Sequence, residues 1–294
     1  FIKNPPPVAD VSGSPRIAIL CRTFDQLDAA LACRPALVYC EFEDLRRYHD
    51  AVARARSAGV PIGLATLRIQ KPGEEAHLRL IAGSRPDVLL VRNLAGIDLF
   101  QSEFPDIELV GDFALNVAND LTADLYLRNG LKRLVPSYDL NWEQFAALLR
   151  HSDPTRFEAV IHQHMPMFHM EHCVFAAFLS EGKDWRDCGR PCDRHKVELR
   201  DRVGAAFPVL ADTGCRNTVF NSVPQSAAEY LPRMQALGVR WFRVELLRET
   251  GSEVGPLIKQ YADVLAGRDD GNKTWRSLRA LNQLGVTRGT LQMA

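Results

Sequence analysis

What this sequence lacks narrows its class before any motif is read. No apolar run reaches the ~18 residues that cross a bilayer, and no charged-then-apolar segment opens the chain as a secretory signal would. No membrane partner is therefore expected, and a cytoplasmic location is. Phe1 stands where an initiator Met would, which fits a processed form or a piece of a longer protein. Net charge is missing as well. The 36 Lys and Arg balance the 36 Asp and Glu, so no global field draws the chain onto nucleic acid, and an RNA contact needs a local basic patch. Seven cysteines in 294 residues suit a disulfide framework poorly: the count is odd, and a chain of this length does not need one. Reduced thiols are expected. There is no G-x-G-x-x-G in the first loop, no G-x-S-x-G and no H-E-x-x-H, so a dinucleotide fingerprint, a serine-hydrolase elbow and a zinc-protease helix all drop out.

What is present is a rhythm. Hydrophobic residues make up 46% of the chain, enough for a sizeable core. After an extended lead-in over residues 1–15, short apolar or β-branched runs alternate with amphipathic stretches, the pattern of βα units around a parallel sheet. Strands are expected at Arg16–Cys21, Ala36–Glu41, Pro61–Thr66, Asp87–Arg92, Glu108–Asp112, Arg133–Pro136, Ala159–His164 and Trp241–Glu245. Helices are expected at Phe24–Leu31, Leu45–Ala58, Glu74–Ala82, Leu121–Asn129, Trp142–Leu149 and Val254–Ala266. Gly59, Gly83 and Gly130 stand where helix C-caps belong, and Asn141 with Gln144 has capping-box spacing. Eight βα units predict an α/β fold, a TIM-like (β/α) barrel over residues 16–266. A polar tail over 267–294 carries a short helix near Lys273–Gln283. The interval 165–240 is too long for one crossover. It reads as a cysteine-rich insertion between strands seven and eight, hung from the barrel's C-terminal face.

That insertion holds Cys173, Cys188, Cys192 and Cys215, spaced C-x14-C-x3-C-x22-C. Thiolates are soft ligands that select zinc, Cu(I) or iron–sulfur clusters. Structural zinc favours close C-x2-C pairs, and the closest pair here is C-x3-C, whereas iron–sulfur ligation tolerates varied spacing. An iron–sulfur centre is the first reading, structural zinc the second, and four core cysteines without metal the third. Cys21, Cys33 and Cys40 sit in apolar, strand-like contexts and read as small hydrophobes. His162 and His164 alternate at the end of strand seven and should share a face. If that face is the barrel interior they line its mouth; otherwise they are ordinary hydrogen-bonded histidines. The Arg and Lys residues between Arg186 and Arg202 interleave with acids and read as a solvated helix face.

These elements resemble the collagenase-like peptidase U32 family. Glu171-His-Cys173 and Cys188-Gly-Arg-Pro-Cys192 take the places of its cysteine elements. Gly111-Asp-Phe-Ala-Leu-Asn-Val-Ala-Asn119 is similar to its Asp-x-x-Leu-Asn-x-x-Asn strand end, and Ser137-Tyr-Asp-Leu140 to its Ser-x-Glu-Leu loop. Where the family often has a further cysteine, this chain has Met165-Pro-Met167. The resemblance implies a [4Fe-4S] cluster and oxygen-independent hydroxylation of RNA pyrimidines, in rRNA or tRNA, with prephenate as an oxygen source. A U32-type peptidase, or a subunit for hydroxylating ubiquinone precursors in a hetero- or homo-oligomer, is the alternative. On this reading Glu41, Arg92, Asp112, Asn116, His162 and His164 are candidate catalytic residues. Arg68, Asn93, Asn119, Arg243 and Glu245 are candidate substrate-binding residues, their arginines suited to carboxylates or phosphates.

Overall fold

The computed structural model describes residues 13–182, 186–281 and 289–291. Strands β1 (Arg16–Cys21), β2 (Leu37–Cys40), β3 (Ile62–Ala65), β4 (Val88–Val91), β5 (Glu108–Gly111) and β6 (Arg133–Leu134) alternate with helices α1 (Phe24–Ala32), α2 (Tyr48–Ala58), α3 (Glu75–Gly83), α4 (Leu94–Glu103) and α5 (Asp120–Arg128). Then follow α6 (Trp142–His151), β7 (Glu158–Gln163), β8 (Pro166–Met170), α7 (Val174–Leu179), β9 (Val197–Arg200), β10 (Ala206–Asp212), β11 (Arg216–Phe220), β12 (Gln225–Ser226) and α8 (Leu231–Ala236). The described chain ends with β13 (Trp241–Glu245), α9 (Gly251–Leu265), α10 (Gly271–Leu281) and a 3-10 turn at Gly289–Leu291. Most of the expected lead-in, and the end of the expected tail helix at Gln283, lie outside the described residues.

The main sheet runs in the order β12-β7-β13-β1-β2-β3-β4-β5-β6. It is parallel except where short β12 joins β7. The sheet curls, and a parallel bridge between Leu134 and Phe157 links its β6 edge to the residue before β7. Period-two alternation sorts the strands onto two buried faces. Ile19, Val38, Leu64, Leu89 and Val91 pack outward against the helices. Ala18, Leu20, Leu37, Tyr39, Leu90 and Val110 pack against one another on the inner face.

The inner face is crowded enough to demand a glycine. A Cβ on Gly63 would overlap the Tyr39 ring, at 2.6 Å from Cε1. Tyr39 cannot give way easily, being fully buried and donating to Glu158 Oε2 at 3.1 Å. Gly63→Ala is expected to cost about 1–3 kcal/mol, the usual price of overpacking a core. Urea unfolding checks it, and an unchanged midpoint would mean the ring has room to move.

The interval after β7 carries a fold of its own. β8, β11, β10 and β9 form a four-stranded antiparallel sheet, paired in that order. The charged run expected as a helix face is instead a 3-10 turn at Pro191–Asp193 and strand β9. Helix α4 goes beyond the expected elements. Its buried Gly96, Ile97, Leu99 and Phe100 show why it forms: packing outweighs the low helix propensity of an internal glycine.

Candidate functional site

At the C-terminal ends of the parallel strands, charged residues replace apolar ones on the inner face. Asp112, fully buried, accepts from Arg92 Nε at 2.8 Å and from Arg243 Nη2 at 2.5 Å. Glu41 takes Arg22 Nε at 2.6 Å, Arg68 Nη2 at 3.2 Å and a short bond from Arg92. Glu245 lies 3.1 Å from Arg243 and 3.3 Å from Arg22, and accepts from Tyr138. Deeper in, Glu158 bonds Tyr39 and lies 3.4 Å from both Arg133 and Arg243. Burial alone would raise the carboxyl pKa values. For Asp112, Arg243 and Arg92 outweigh it and hold the group at about 2. For Glu41, Arg22, Arg92 and Arg68 outweigh it and hold the group well below the usual range. Both stay ionised.

The antiparallel sheet roofs this network. Phe220 in β11 lies under the guanidinium of Arg22 at 5.1 Å and that of Arg68 at 5.9 Å. Thr218, Leu210 and Asp212 face Arg22 and Glu41 across a small cavity. Buried Arg216 ties the roof down by bonding Glu74 at 2.8 Å and Glu171 at 2.9 Å, and Lys71 also pairs with Glu171. Thr213 Oγ1 donates to the Glu43 carbonyl, and Arg190 reaches the Glu43 carboxylate at 3.0 Å. A cleft of about 580 Å³ opens beside these ties and is lined by Arg22, Glu41, Arg47, Arg190, Cys192 and Leu210, among others.

The roof also holds sulfur. Cys173 and Cys192 pack with Met170 around Phe175, Val209 and Val219. Burial, with Glu43 and Asp193 adding to it, lifts the Cys192 thiol to about 11. Cys173 caps α7, its Sγ accepting from Ala176 N at 3.4 Å, and α7 packs on the turn that carries Cys192. Cys215 occupies the hairpin turn between β10 and β11 in a left-handed conformation (φ 60°), next to Gly214, and Cys188 precedes Cys192 by one tight turn. No disulfide joins any of the seven cysteines. Four thiols have the donor chemistry of a soft metal centre, and two of them, Cys173 and Cys192, pack on one apolar cluster. Among the described residues, however, no group of three or more His, Cys, Asp or Glu is arranged to hold a metal ion. Cys188 and Cys215 are not members of the apolar cluster on which Cys173 and Cys192 pack.

Of the residues singled out from sequence, Glu41, Arg68, Arg92, Asp112, Arg243 and Glu245 come together in one network. Asn93 and Asn119 are each a helix N-cap, accepting from Ala95 N and Thr122 N respectively, and Asn93 Nδ2 also donates to the Arg68 carbonyl at 3.4 Å. Asn116 is exposed, in a left-handed turn at φ 54°. His162 turns away from the inner face toward the helix layer, bonding Tyr261 of α9 at 3.1 Å and Glu249 at 3.2 Å. A bulge explains the departure from simple alternation. Arg243 pairs with Val160 but Val244 pairs with His162, so one extra residue of β7 resets which way its side chains point. Glu249 would be raised by burial, but His162 and the Leu247 N–H hold it at about 2.

His164 donates Nδ1–H to the Asn221 carbonyl at 2.8 Å, and burial lowers its pKa to about 4. The folded group therefore binds its proton more weakly than the unfolded one, whose ordinary value is 6.5. Its contribution to stability is complete above that value and drains away as pH falls toward 4. The loss, roughly 3 kcal/mol at most, should appear as a fall in denaturation midpoint across this window. His164→Gln should flatten the fall; a profile unchanged by the substitution would assign the dependence to other groups.

Sequence reasoning missed Arg22, Arg133, Glu158, Tyr39 and Tyr138 of the network. A usable signal existed: Arg133 and Glu158 are charges at strand positions where their neighbours are apolar, which in a buried sheet requires internal partners.

An α/β protein is thus defined by a curled parallel sheet with an ionised interior, roofed by an antiparallel sheet that carries thiols. The chain belongs to peptidase family U32, whose sequence model matches residues 39–288. No curated protein matches it. Among solved structures, the U32 peptidase Mk0906 shares 14% identity, with 83% of this chain and 98% of that one covered and a TM-score of 0.48. A thiamine phosphate pyrophosphorylase from Pyrococcus furiosus shares 8%, covering 85% and 96%, at 0.47. Among the described residues no helix is long and apolar enough to cross a membrane.

Proposed function

We propose that this U32-family chain is an iron–sulfur-dependent, oxygen-independent hydroxylase of RNA pyrimidines, working in the cytoplasm. The observation that carries the reading is the shared cleft: Cys192 lines the same opening as Arg22 and Glu41. The reading treats the curled sheet as a TIM-like (β/α) barrel with its seam at Leu134–Phe157. Cys173, Cys188, Cys192 and Cys215 would hold a [4Fe-4S] cluster. Such a cluster supplies one-electron chemistry when bound. The chain's own residues supply the rest. Arg22, Arg68 and Arg92 present fixed positive charge for a carboxylate co-substrate such as prephenate or for phosphate. The roof excludes water from that charge and strengthens it. Arg190 and Arg194, by the cleft, would meet the RNA backbone.

The peptidase reading finds less support. A cysteine peptidase pairs its thiol with a base, and the hydrogen bonds of His162, His164 and His169 go to Tyr261, Glu249, Asn221 and Thr218.

The test has two parts. Protein purified without oxygen should be brown, with iron and sulfide in near-equal amounts and little zinc. Nucleosides from a strain lacking the gene should lose one oxygen-bearing pyrimidine by mass spectrometry. Zinc without iron would replace the cluster by a structural site, and a full set of RNA modifications would refute the hydroxylase.

A further inference from the structure

The roof ends in an open edge. β9 is the last strand in the order β8-β11-β10-β9, and among the described residues no strand pairs with its outer side. The ladder to β10 fixes which of its backbone groups face outward. The register sets Arg200 opposite Ala206, Leu199 opposite Phe207, Glu198 opposite Pro208 and Val197 opposite Val209. Pro208 has no N–H to exchange, so Glu198 stands in a non-hydrogen-bonded pair, and the bonded pairs are Leu199–Phe207 and Val197–Val209. The next bond along keeps this parity: Asp201 N donates to the Ala205 carbonyl at 3.1 Å. The N–H and C=O groups of Glu198 and Arg200 therefore point away from β10, on a stretch where Glu198, Leu199 and Arg200 are all exposed.

Edges of this kind are usually guarded by a proline, a bulge or an inward-pointing charge. β9 has no proline, and its pairing with β10 runs without a register shift. Its charges alternate in sign instead. Glu198 bonds Arg248 through Oε1 at 2.7 Å, and Arg200 makes no ion pair among the described residues. An antiparallel two-fold centred on Leu199 would set Glu198 of each copy opposite Arg200 of the other. That gives an opposite-charge pair twice over, at the positions whose backbone groups already face outward. A two-fold centred on Glu198 would set that carboxylate against itself. On the other face Leu199, 45% exposed, would meet its own copy, with half-buried Phe207 directly beside it in each sheet.

We propose that β9 is a self-association edge: two copies of this chain join β9 to β9, antiparallel about Leu199, so that their roofs form one continuous sheet. The occupant is a second copy because the pattern Glu198-Leu199-Arg200 is its own complement in that register, in charge, in apolar contact and in backbone bonds. None of these residues belongs to the strand-end network or to the four-thiol set, so the inference stands apart from the hydroxylase reading.

Analytical ultracentrifugation of the full chain at high micromolar concentration should show a reversible dimer. Arg200→Pro should lower the association constant roughly 30-fold or more, because the two-fold loses the Arg200 N–H bond twice. A proline whose missing N–H faces outward is tolerated on an edge strand, so the monomer's urea midpoint should not move. Glu198→Arg and Arg200→Glu should each be monomeric, and the double variant should dimerise again; this rescue decides the matter where Arg200→Pro does not fold. Cross-linking reads the register. Leu199 and its copy would form a non-hydrogen-bonded pair with Cα atoms about 4.5 Å apart, within reach of a disulfide. Oxidised with diamide, Leu199→Cys should therefore run as a covalent dimer on a non-reducing gel, while Glu198→Cys and the wild type should not. A wild type that stays monomeric, a dimer that survives Arg200→Pro, a double variant without rescue, or a covalent dimer from Glu198→Cys in place of Leu199→Cys each overturns the proposal.

Discussion

Cys192→Ser, prepared without oxygen, is expected to carry on the order of tenfold less iron than the wild type, or less still. Loss of a group that only supports a metal ligand already costs 10–100-fold in affinity, and loss of a ligand should cost no less. Cys173→Ser should behave alike, because Cys173 and Cys192 pack on the same apolar cluster. Cys188→Ser and Cys215→Ser carry the sharper information. Neither residue belongs to the apolar cluster that holds Cys173 and Cys192, so an equal loss of iron in these variants would show that all four thiols serve one centre. Cys33→Ala is the control: half-buried at the end of α1, its thiol bonds the Ala29 carbonyl, and its iron content should match the wild type. Iron retained at wild-type level in both Cys192→Ser and Cys215→Ser would sink the four-thiolate centre, whatever the protein's colour.

The fold was legible where local signals and tertiary packing agree. Strands β1 and β13 fall where the apolar runs place them, at Arg16–Cys21 and Trp241–Glu245. The Asn141 and Gln144 capping box forms with both bonds made. Gly59 caps α2 in the left-handed region. Gly83 shows the limit of such signals: it ends α3 inside the helix, and Arg85 takes the left-handed conformation two residues later. The roof was least legible. β10 pairs with its chain neighbours β9 and β11, but β8 reaches β11 across the whole interval between them, and such long-range pairing leaves no local period to read. β9 runs through Val197-Glu-Leu-Arg200 with most of its side chains exposed, so it lacks the apolar stripe that marks a buried strand. The site divides along the same line. Strand-end position brought six of the chosen residues into one network, whereas His162 needed knowledge of a bulge. Asn93 and Asn119 stand at strand ends too, yet each begins a helix, and an Asn in that place serves the backbone first.

The second large effect concerns the interior charge. Arg243→Met should lower stability by about 3–5 kcal/mol, the range for breaking a buried ion pair from one side. Methionine fills much of the arginine's volume, so the loss is mainly electrostatic. Arg243 is fully buried and faces three carboxylates: Asp112 at 2.5 Å, Glu245 at 3.1 Å and Glu158 at 3.4 Å. Each has another cation, respectively Arg92, Arg22 and Arg133, so the acids are weakened rather than stranded. This holds the effect near that range instead of above it. Acid titration gives the sign. Asp112, held at about 2 against an ordinary 3.8, adds stability that is complete above 3.8 and is lost as pH falls through the folded value. Removing Arg243 raises that folded value, so the variant's acid-unfolding midpoint should move to higher pH as its urea midpoint falls. Glu158→Gln should cost less, since Arg243 keeps Asp112 and Glu245 and the amide oxygen can still accept from Tyr39. A loss below about 1 kcal/mol in Arg243→Met, typical of an exposed pair, would mean that water reaches these carboxylates. The strand ends would then be an open polar surface, and the roof could not be credited with strengthening the charges beneath it.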